Sequence, residues 1–104
     1  MKKVKITVMR RSVYPDLMEL YENPIEHPCE MAIGDVFIAN GFEKPEGLCS
    51  IAWQCMAPYV LVLAHGGSNF HDNWMKNDKS AMISCNDGFR PVTYYIEALS
   101  EDAE

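Results

Sequence analysis

The chain has 104 residues, of which 48% are hydrophobic and 23% are charged. This length fits one domain with its own hydrophobic core, and the composition is that of a folded chain rather than a disordered one. Lys and Arg number 9 and Asp and Glu number 15, which gives a formal net charge of −6. Because this balance argues against a phosphate-binding surface, nucleic acid is not an expected partner.

The beginning of the chain carries lysines as a signal peptide does, but no apolar core follows them. Val4, Ile6 and Val8 alternate with polar residues instead. The longest apolar run, residues 57–64, is too short to cross a bilayer. We therefore expect a cytoplasmic protein that does not enter a membrane. In a reducing compartment its 4 cysteines would be thiols, metal ligands or packing residues rather than disulfides.

The first part of the chain predicts two strands separated by a short helix. Residues 3–9 alternate apolar and polar side chains, which is typical of a strand with one buried face. Residues 16–22 follow Pro15 and carry an acid in the first turn, so they predict a helix, which Asn23-Pro24 ends. Residues 36–39 predict the second strand.

Residues 48–65 are the most apolar part of the chain and predict a long helix. Pro58 removes one backbone donor, so it should kink this helix or divide it into two pieces. A helix that is apolar on nearly all sides is buried on both sides. We therefore expect it to form both the core and the interface of a homo-oligomer. Gly66-Gly67 is the expected C-terminal stop.

The end of the chain predicts a hairpin with strands over residues 81–85 and 90–99. Asn86-Asp87-Gly88 is its turn, with Asp87 as the first residue of a type I′ turn. Residues 100–104 form an acidic tail that should be frayed. The element order β-α-β-α-β-β predicts an α+β fold, with about four mostly antiparallel strands and two helices on one face.

Four motifs give the chain a resemblance to a small uncharacterised prokaryotic protein family. Residues 44–53 read KPEGLCSIAW, where the family pattern is KPEGxCxxAW. The other three matches are Cys29 before the GDxF motif at 34–37, Gly66-Gly67 after the long helix, and CxDGxRPV at 85–92. The resemblance covers nearly the whole chain and implies no particular activity.

Cys29, Cys49 and Cys85 fall within this shared pattern, and each lies at the end of a predicted element. Binding sites are often built where several segments end. If these cysteines converge, three thiolates would hold zinc or an iron–sulfur cluster. The candidates for a further ligand are Asp87, His27, His65 and His71. The competing interpretation is that each cysteine packs as a small apolar group.

A second hypothesis is an enzyme without metal. Cys49 lies in the first turn of the predicted helix, where the positive end of the helix dipole attracts a nucleophilic thiolate. A histidine such as His71 would complete a Cys–His pair, although an exposed loop is the competing interpretation for His71. A third hypothesis is a non-catalytic binding or assembly module that uses the apolar helix as its contact surface.

Four further residues are candidates for ligand contacts. Trp53 lies in the long helix, where packing in the core is the competing interpretation. Trp74 lies in a polar loop and is the better candidate, because an exposed aromatic ring often contacts a ligand or partner. Asp87 and Arg90 belong to the predicted hairpin turn. Arg90 would pair with Asp87 or a tail carboxylate, or would bind an anionic ligand.

Overall fold

A computed structural model of the protein describes residues 1–25 and 29–104. Within these ranges the chain forms, in order, β1 (Lys2–Arg11), α1 (Pro15–Tyr21), β2 (Val36–Ala39), α2 (Ser50–Ala64), β3 (Ser80–Ser84) and β4 (Val92–Asp102). The strands pair in the order β2-β1-β4-β3, and every pairing is antiparallel. The predicted α+β fold with four antiparallel strands and two helices is therefore confirmed.

The core lies between α2 and one face of the sheet. The alternation in β1 and β4 points every second side chain toward α2, because successive side chains of a strand face opposite sides. The fully or almost fully buried residues of β1 and β4 are Val4, Ile6, Val8, Val92, Tyr94 and Ile96. From α2 the core receives Ala52, Met56, Val60, Leu63 and Ala64. The sheet thus has one covered face.

The prediction that α2 is buried on both sides is not met within a single chain, because its outer side is exposed to solvent. Ile51 is 45% exposed, and Leu61 and Val62 are each 40% exposed. The other helix, α1, has no buried residue at all and contacts none of the other described helices or strands. Within the described residues α2 is therefore the helix that covers the sheet, and the prediction that both helices lie on one face of it is wrong for α1. No helix within residues 1–25 and 29–104 is long and apolar enough to cross a membrane.

Pro58 does not divide α2, which runs unbroken from Ser50 to Ala64. Both Pro58 and Gln54, whose carbonyl lacks its usual donor, are exposed to solvent. A bend of the helix axis at this point stays a prediction. The predicted stop is confirmed: Gly66 has φ +85°. Gly67 donates to the carbonyl of Val62 over 2.8 Å, as the second residue past a helix end does in a Schellman motif.

The acidic tail is not frayed as predicted, because β4 continues through Ser100 to Asp102. Lys2 pairs in register with Asp102, and its ammonium group lies 2.6 Å from that carboxylate. The hydrogen bond from Lys2 lowers the pKa of Asp102 below its usual range. Ala103 also donates to the carbonyl of Met1 over 2.7 Å. The acidic end is therefore held by the basic beginning of β1.

Candidate functional site

Three cysteines that are distant in sequence line one cavity of about 360 Å³ at the end of the sheet where α2 begins. We call this cavity the thiol pocket. Its lining consists of Cys29, Cys49, Ile51, Cys85, Asn86, Asp87, Arg90 and Tyr94. The structure therefore brings together the three cysteines that lie at element ends. None of the 4 cysteines forms a disulfide, and each is partly exposed.

Cys29 is held by contacts on both its backbone and its sulfur. The Arg11 guanidinium donates to the Cys29 carbonyl over 2.9 Å. The backbone N–H of Met31 donates to the Cys29 sulfur over 3.5 Å. These contacts connect the loop that precedes β2 to the end of β1, and they turn the Cys29 side chain toward the pocket that it lines.

Cys85 and Cys49 are positioned by the ends of regular elements. The backbone of Cys85 extends the β3–β4 ladder by one bond, since its N–H donates to the Val92 carbonyl over 2.9 Å. The N–H of Val92 in return donates to the Cys85 sulfur over 3.2 Å. Cys49 is the N-cap residue of α2, and its carbonyl accepts from Trp53 over 3.0 Å. Two of the three thiols thus have a fixed backbone donor.

The loop between β3 and β4 is not the type I′ turn that Asp-Gly predicts. Neither Asp87 nor Gly88 has the positive φ which that turn requires. The Asp87 carboxylate instead accepts hydrogen bonds from the N–H groups of Phe89 and Arg90 over 2.8 and 3.2 Å. Pro91, which has no N–H to donate, precedes the first residue of β4. The side chain of Asp87 therefore shapes a longer loop and lies at the thiol pocket.

Arg90 pairs with Glu22, a partner that the sequence pattern did not reveal. Both terminal nitrogens of the guanidinium donate to the two carboxylate oxygens, each over 2.7 Å. The side chains are only 17% and 15% exposed. This hydrogen bonding raises the pKa of Arg90 above its ordinary value. The predicted pairing of the Arg90 side chain with Asp87 or with a carboxylate of the tail is wrong. Its guanidinium donates both hydrogen bonds to Glu22, the residue that follows α1.

Three lining residues, Ile51, Asn86 and Tyr94, were not among the predicted site residues, and Tyr94 is the one with an unusual environment. Its side chain is 1% exposed. Its hydroxyl is the one buried side-chain N or O atom in the described part of the chain that has no hydrogen-bond partner. Burial, and after it the neighbouring Cys29, Cys49 and Cys85, raise the pKa of Tyr94 well above its usual value. The alternation in β4 offered a signal, since Tyr94 is a hydroxyl-bearing residue in an otherwise apolar buried row.

Several predicted site residues lie away from the thiol pocket. The Trp53 ring packs against Phe42 with ring centres 5.6 Å apart. His71 lies between Trp74, 4.9 Å away by ring centres, and Tyr59, whose hydroxyl is 3.3 Å from the His71 ring nitrogen Nε2. Tyr59 follows Cys49 by ten residues, which is about 15 Å along a helix. The structure therefore does not bring His71 to Cys49, and Trp53 and Trp74 do not line the pocket.

Among the candidates for a further metal ligand that belong to the described residues, only Asp87 lines the thiol pocket. His65 is the C-cap residue of α2, at the opposite end of that helix from Cys49. His27 lies outside the described residues. In the part of the chain that the structure describes, no three His, Cys, Asp or Glu side chains are already arranged to hold a metal ion. The three cysteines therefore line one cavity, but their side chains are not arranged at the distances that coordination of a metal ion requires.

A comparison with known proteins finds no matching family model, no matching curated protein and no matching solved structure.

Proposed function

We propose that the protein binds a thiophilic metal cation in the thiol pocket, with Cys29, Cys49 and Cys85 as its ligands. The observation that carries this proposal is that three thiols from three separate segments line one cavity. Thiolate sulfur is a preferred donor for zinc and for the iron of iron–sulfur clusters. Asp87 is available beside these thiols as an oxygen ligand.

The charges around the pocket favour a cation over an anionic ligand. Arg90 is the basic residue in the pocket lining, and its guanidinium is already paired with Glu22 through two hydrogen bonds. Among the lining residues Asp87 then leaves one negative charge, while Arg11, whose guanidinium donates to the Cys29 carbonyl, places one positive charge nearby. The thiols add negative charge when they lose their protons to a metal. A cation that takes thiolate ligands is therefore favoured over an anionic ligand.

The hydrogen bonds to sulfur also suit a metal–thiolate site. Backbone N–H groups donate to the sulfurs of Cys29 and Cys85. Hydrogen bonds of this kind orient metal-bound thiolates and tune them. Because the side chains do not yet form a coordination shell, cation binding requires the sulfurs to close around the ion.

Metal analysis and absorption spectra of protein purified without oxygen test this proposal. The expected result is stoichiometric zinc without visible absorbance, or iron and sulfide with the visible absorbance of an iron–sulfur cluster. The Cys55→Ser variant is the matched control, because Cys55 does not line the pocket. A protein that carries neither metal, and takes up neither under reducing conditions, would contradict the proposal.

A metal-free enzyme that uses Cys49 is the second candidate function. Its supporting observation is that Cys49 both caps α2 and lines the pocket. This hypothesis needs a histidine beside Cys49, and neither His65 nor His71 lines the thiol pocket. Alkylation of the metal-free protein separates the two candidates. The enzyme hypothesis expects Cys49 to react much faster than Cys29 and Cys85, whereas the cation site expects added metal to protect all three thiols together.

The proposal also includes a location and a mode of assembly. Free thiols require a reducing compartment, for which the cytoplasm is our proposal. A homo-oligomer is proposed because apolar side chains are exposed on the outer side of α2, and Leu20 and Tyr21 of α1 are 70% and 76% exposed. Nucleic acid is not proposed as a partner, given the net charge of −6. Light scattering that shows a strict monomer at high concentration would exclude the oligomer.

A further inference from the structure

We infer that the Tyr94 hydroxyl donates a hydrogen bond to the Cys49 sulfur when a cation occupies the thiol pocket. Tyr94 would then be a positioning residue that acts through a ligand and does not itself bind the metal. This inference rests on the proposed cation site and adds the group that holds its third thiolate.

Hydrogen-bond donors are distributed unevenly among the three thiols. The Cys29 sulfur accepts from the N–H of Met31, and the Cys85 sulfur accepts from the N–H of Val92. The Cys49 sulfur has no such donor in the described part of the chain, and it caps no N–H of α2. One of three equivalent ligands thus lacks the support that the other two have.

The lining of the same pocket includes a tyrosine, Tyr94, whose hydroxyl is buried and has no hydrogen-bond partner among the described residues. An unpartnered buried hydroxyl is unfavourable, and a native structure usually satisfies it. The residue that has a hydrogen bond to donate and the cysteine that lacks a donor therefore line the same cavity.

The bond is expected only in the loaded state. A thiol is a weak acceptor, whereas a thiolate bound to a cation carries charge and accepts strongly. A tyrosine phenol is protonated at neutral pH, so Tyr94 has a hydrogen to donate. Cation binding converts Cys49 to the thiolate, and the Tyr94 hydroxyl then gains the acceptor that it lacks.

A Tyr94→Phe variant titrated with Cd²⁺ tests this inference. The substitution removes the hydroxyl and keeps the ring, so the metal-free variant should unfold at the same temperature as the wild type or a higher one. Affinity for Cd²⁺ should fall about 10- to 100-fold, as for other outer-shell partners of metal ligands. The thiolate-to-cadmium charge-transfer band should also move to longer wavelength, because a sulfur that loses a hydrogen bond gives up electron density more easily.

Two backgrounds identify the thiol that receives the bond. In a Cys85→Ala background, Tyr94→Phe should still lower the Cd²⁺ affinity and shift the band. In a Cys49→Ala background it should change neither. The reverse pattern would show that the hydroxyl bonds to a different sulfur and would overturn the assignment to Cys49. If Tyr94→Phe lowers the Cd²⁺ affinity in both backgrounds, the hydroxyl bonds to a group other than these two thiols. That result would also overturn the assignment to Cys49.

The outcomes separate this inference from the proposed function. If the wild type binds Cd²⁺ and Tyr94→Phe binds it with the same affinity and the same band, the inference fails and the cation site stands. If the wild type does not bind Cd²⁺ at all, the cation site fails and the inference fails with it.

Discussion

The carboxylate of Glu22 and the guanidinium of Arg90 meet through two parallel hydrogen bonds of 2.7 Å, although 68 residues separate them in sequence. Glu22 is the C-cap residue of α1, and Arg90 directly follows the turn that Asp87 organises. Because α1 has no buried residue, this pair is a main link between the helix and the rest of the molecule. It also holds the loop that lines the thiol pocket.

Replacing Glu22 should affect both stability and cation binding. In Glu22→Gln the guanidinium of Arg90 loses its opposite charge, so the temperature of unfolding should fall. The positive charge left beside the pocket should also weaken cation affinity by several-fold. Glu19→Gln is the control, because Glu19 is an exposed acid of the same helix. Thermal unfolding and a zinc titration measure the two effects, and identical behaviour of both variants would argue against the link.

Two substitutions at Asp87 should separate its structural role from its charge. Asp87→Asn retains the oxygen that accepts from Phe89 and Arg90, so stability should stay within about 0.5 kcal/mol of the wild type. Asp87→Ala loses both hydrogen bonds and should cost about 1–2 kcal/mol. Both variants should bind a cation more weakly, because both lose the carboxylate. Equal stability of the two variants in denaturant unfolding would contradict the role of the side chain in the loop.

Tyr94 should make the protein less stable in alkali. An unfolded tyrosine releases its proton near pH 10, whereas burial raises the pKa of Tyr94 in the folded protein. Above about pH 10 the folded state therefore holds a proton that the unfolded state has lost, and stability falls by about 1.4 kcal/mol per pH unit. Below that pH the contribution is constant. Stability measured against pH should decline less steeply in Tyr94→Phe, and an unchanged slope would contradict the prediction.

The end of α2 should tolerate no side chain at Gly67. A Cβ atom there would contact the Val62 side chain closely and lie 3.0 Å from the Val62 carbonyl oxygen. Gly67→Ala should therefore lower the free energy of unfolding by roughly 1–3 kcal/mol. Gly88→Ala is the matched control, since a Cβ atom at Gly88 meets nothing within 4 Å and its φ is not positive. Similar destabilisation of both variants would argue against the close approach.

The fold was predictable because the local patterns agree with the long-range structure. The alternation of apolar and polar residues predicts β1. The long apolar segment and the two glycines after it predict α2 and its end. The prediction that failed for residues 100–104 depended on pairing with Lys2, about a hundred residues away. Likewise the Asp87 turn was mistaken because a side-chain carboxylate, rather than the backbone φ of Asp-Gly, organises the loop.

The site was predictable only in part. The position of Cys29, Cys49 and Cys85 at element ends indicated a shared site, and the cavity contains all three. The alternation in β4 marks Tyr94 as a hydroxyl in a buried row, but neither the missing partner of that hydroxyl nor the pairing of Glu22 follows from a local pattern. From sequence, Tyr94 is interpreted as an ordinary core residue, because the missing partner of its hydroxyl is visible only in the structure. Glu22 is interpreted as a solvated residue at a helix end, because its partner Arg90 is distant in sequence.

The central claim is that three thiols bind one cation, and a zinc competition titration against a chromogenic chelator tests it most directly. Wild-type protein and Cys55→Ser should both take zinc from the chelator in proportion to protein. A triple variant with serine at positions 29, 49 and 85 should leave the zinc with the chelator while keeping the wild-type circular dichroism spectrum. Zinc bound equally well by the triple variant, or left with the chelator by the wild type, would contradict the account.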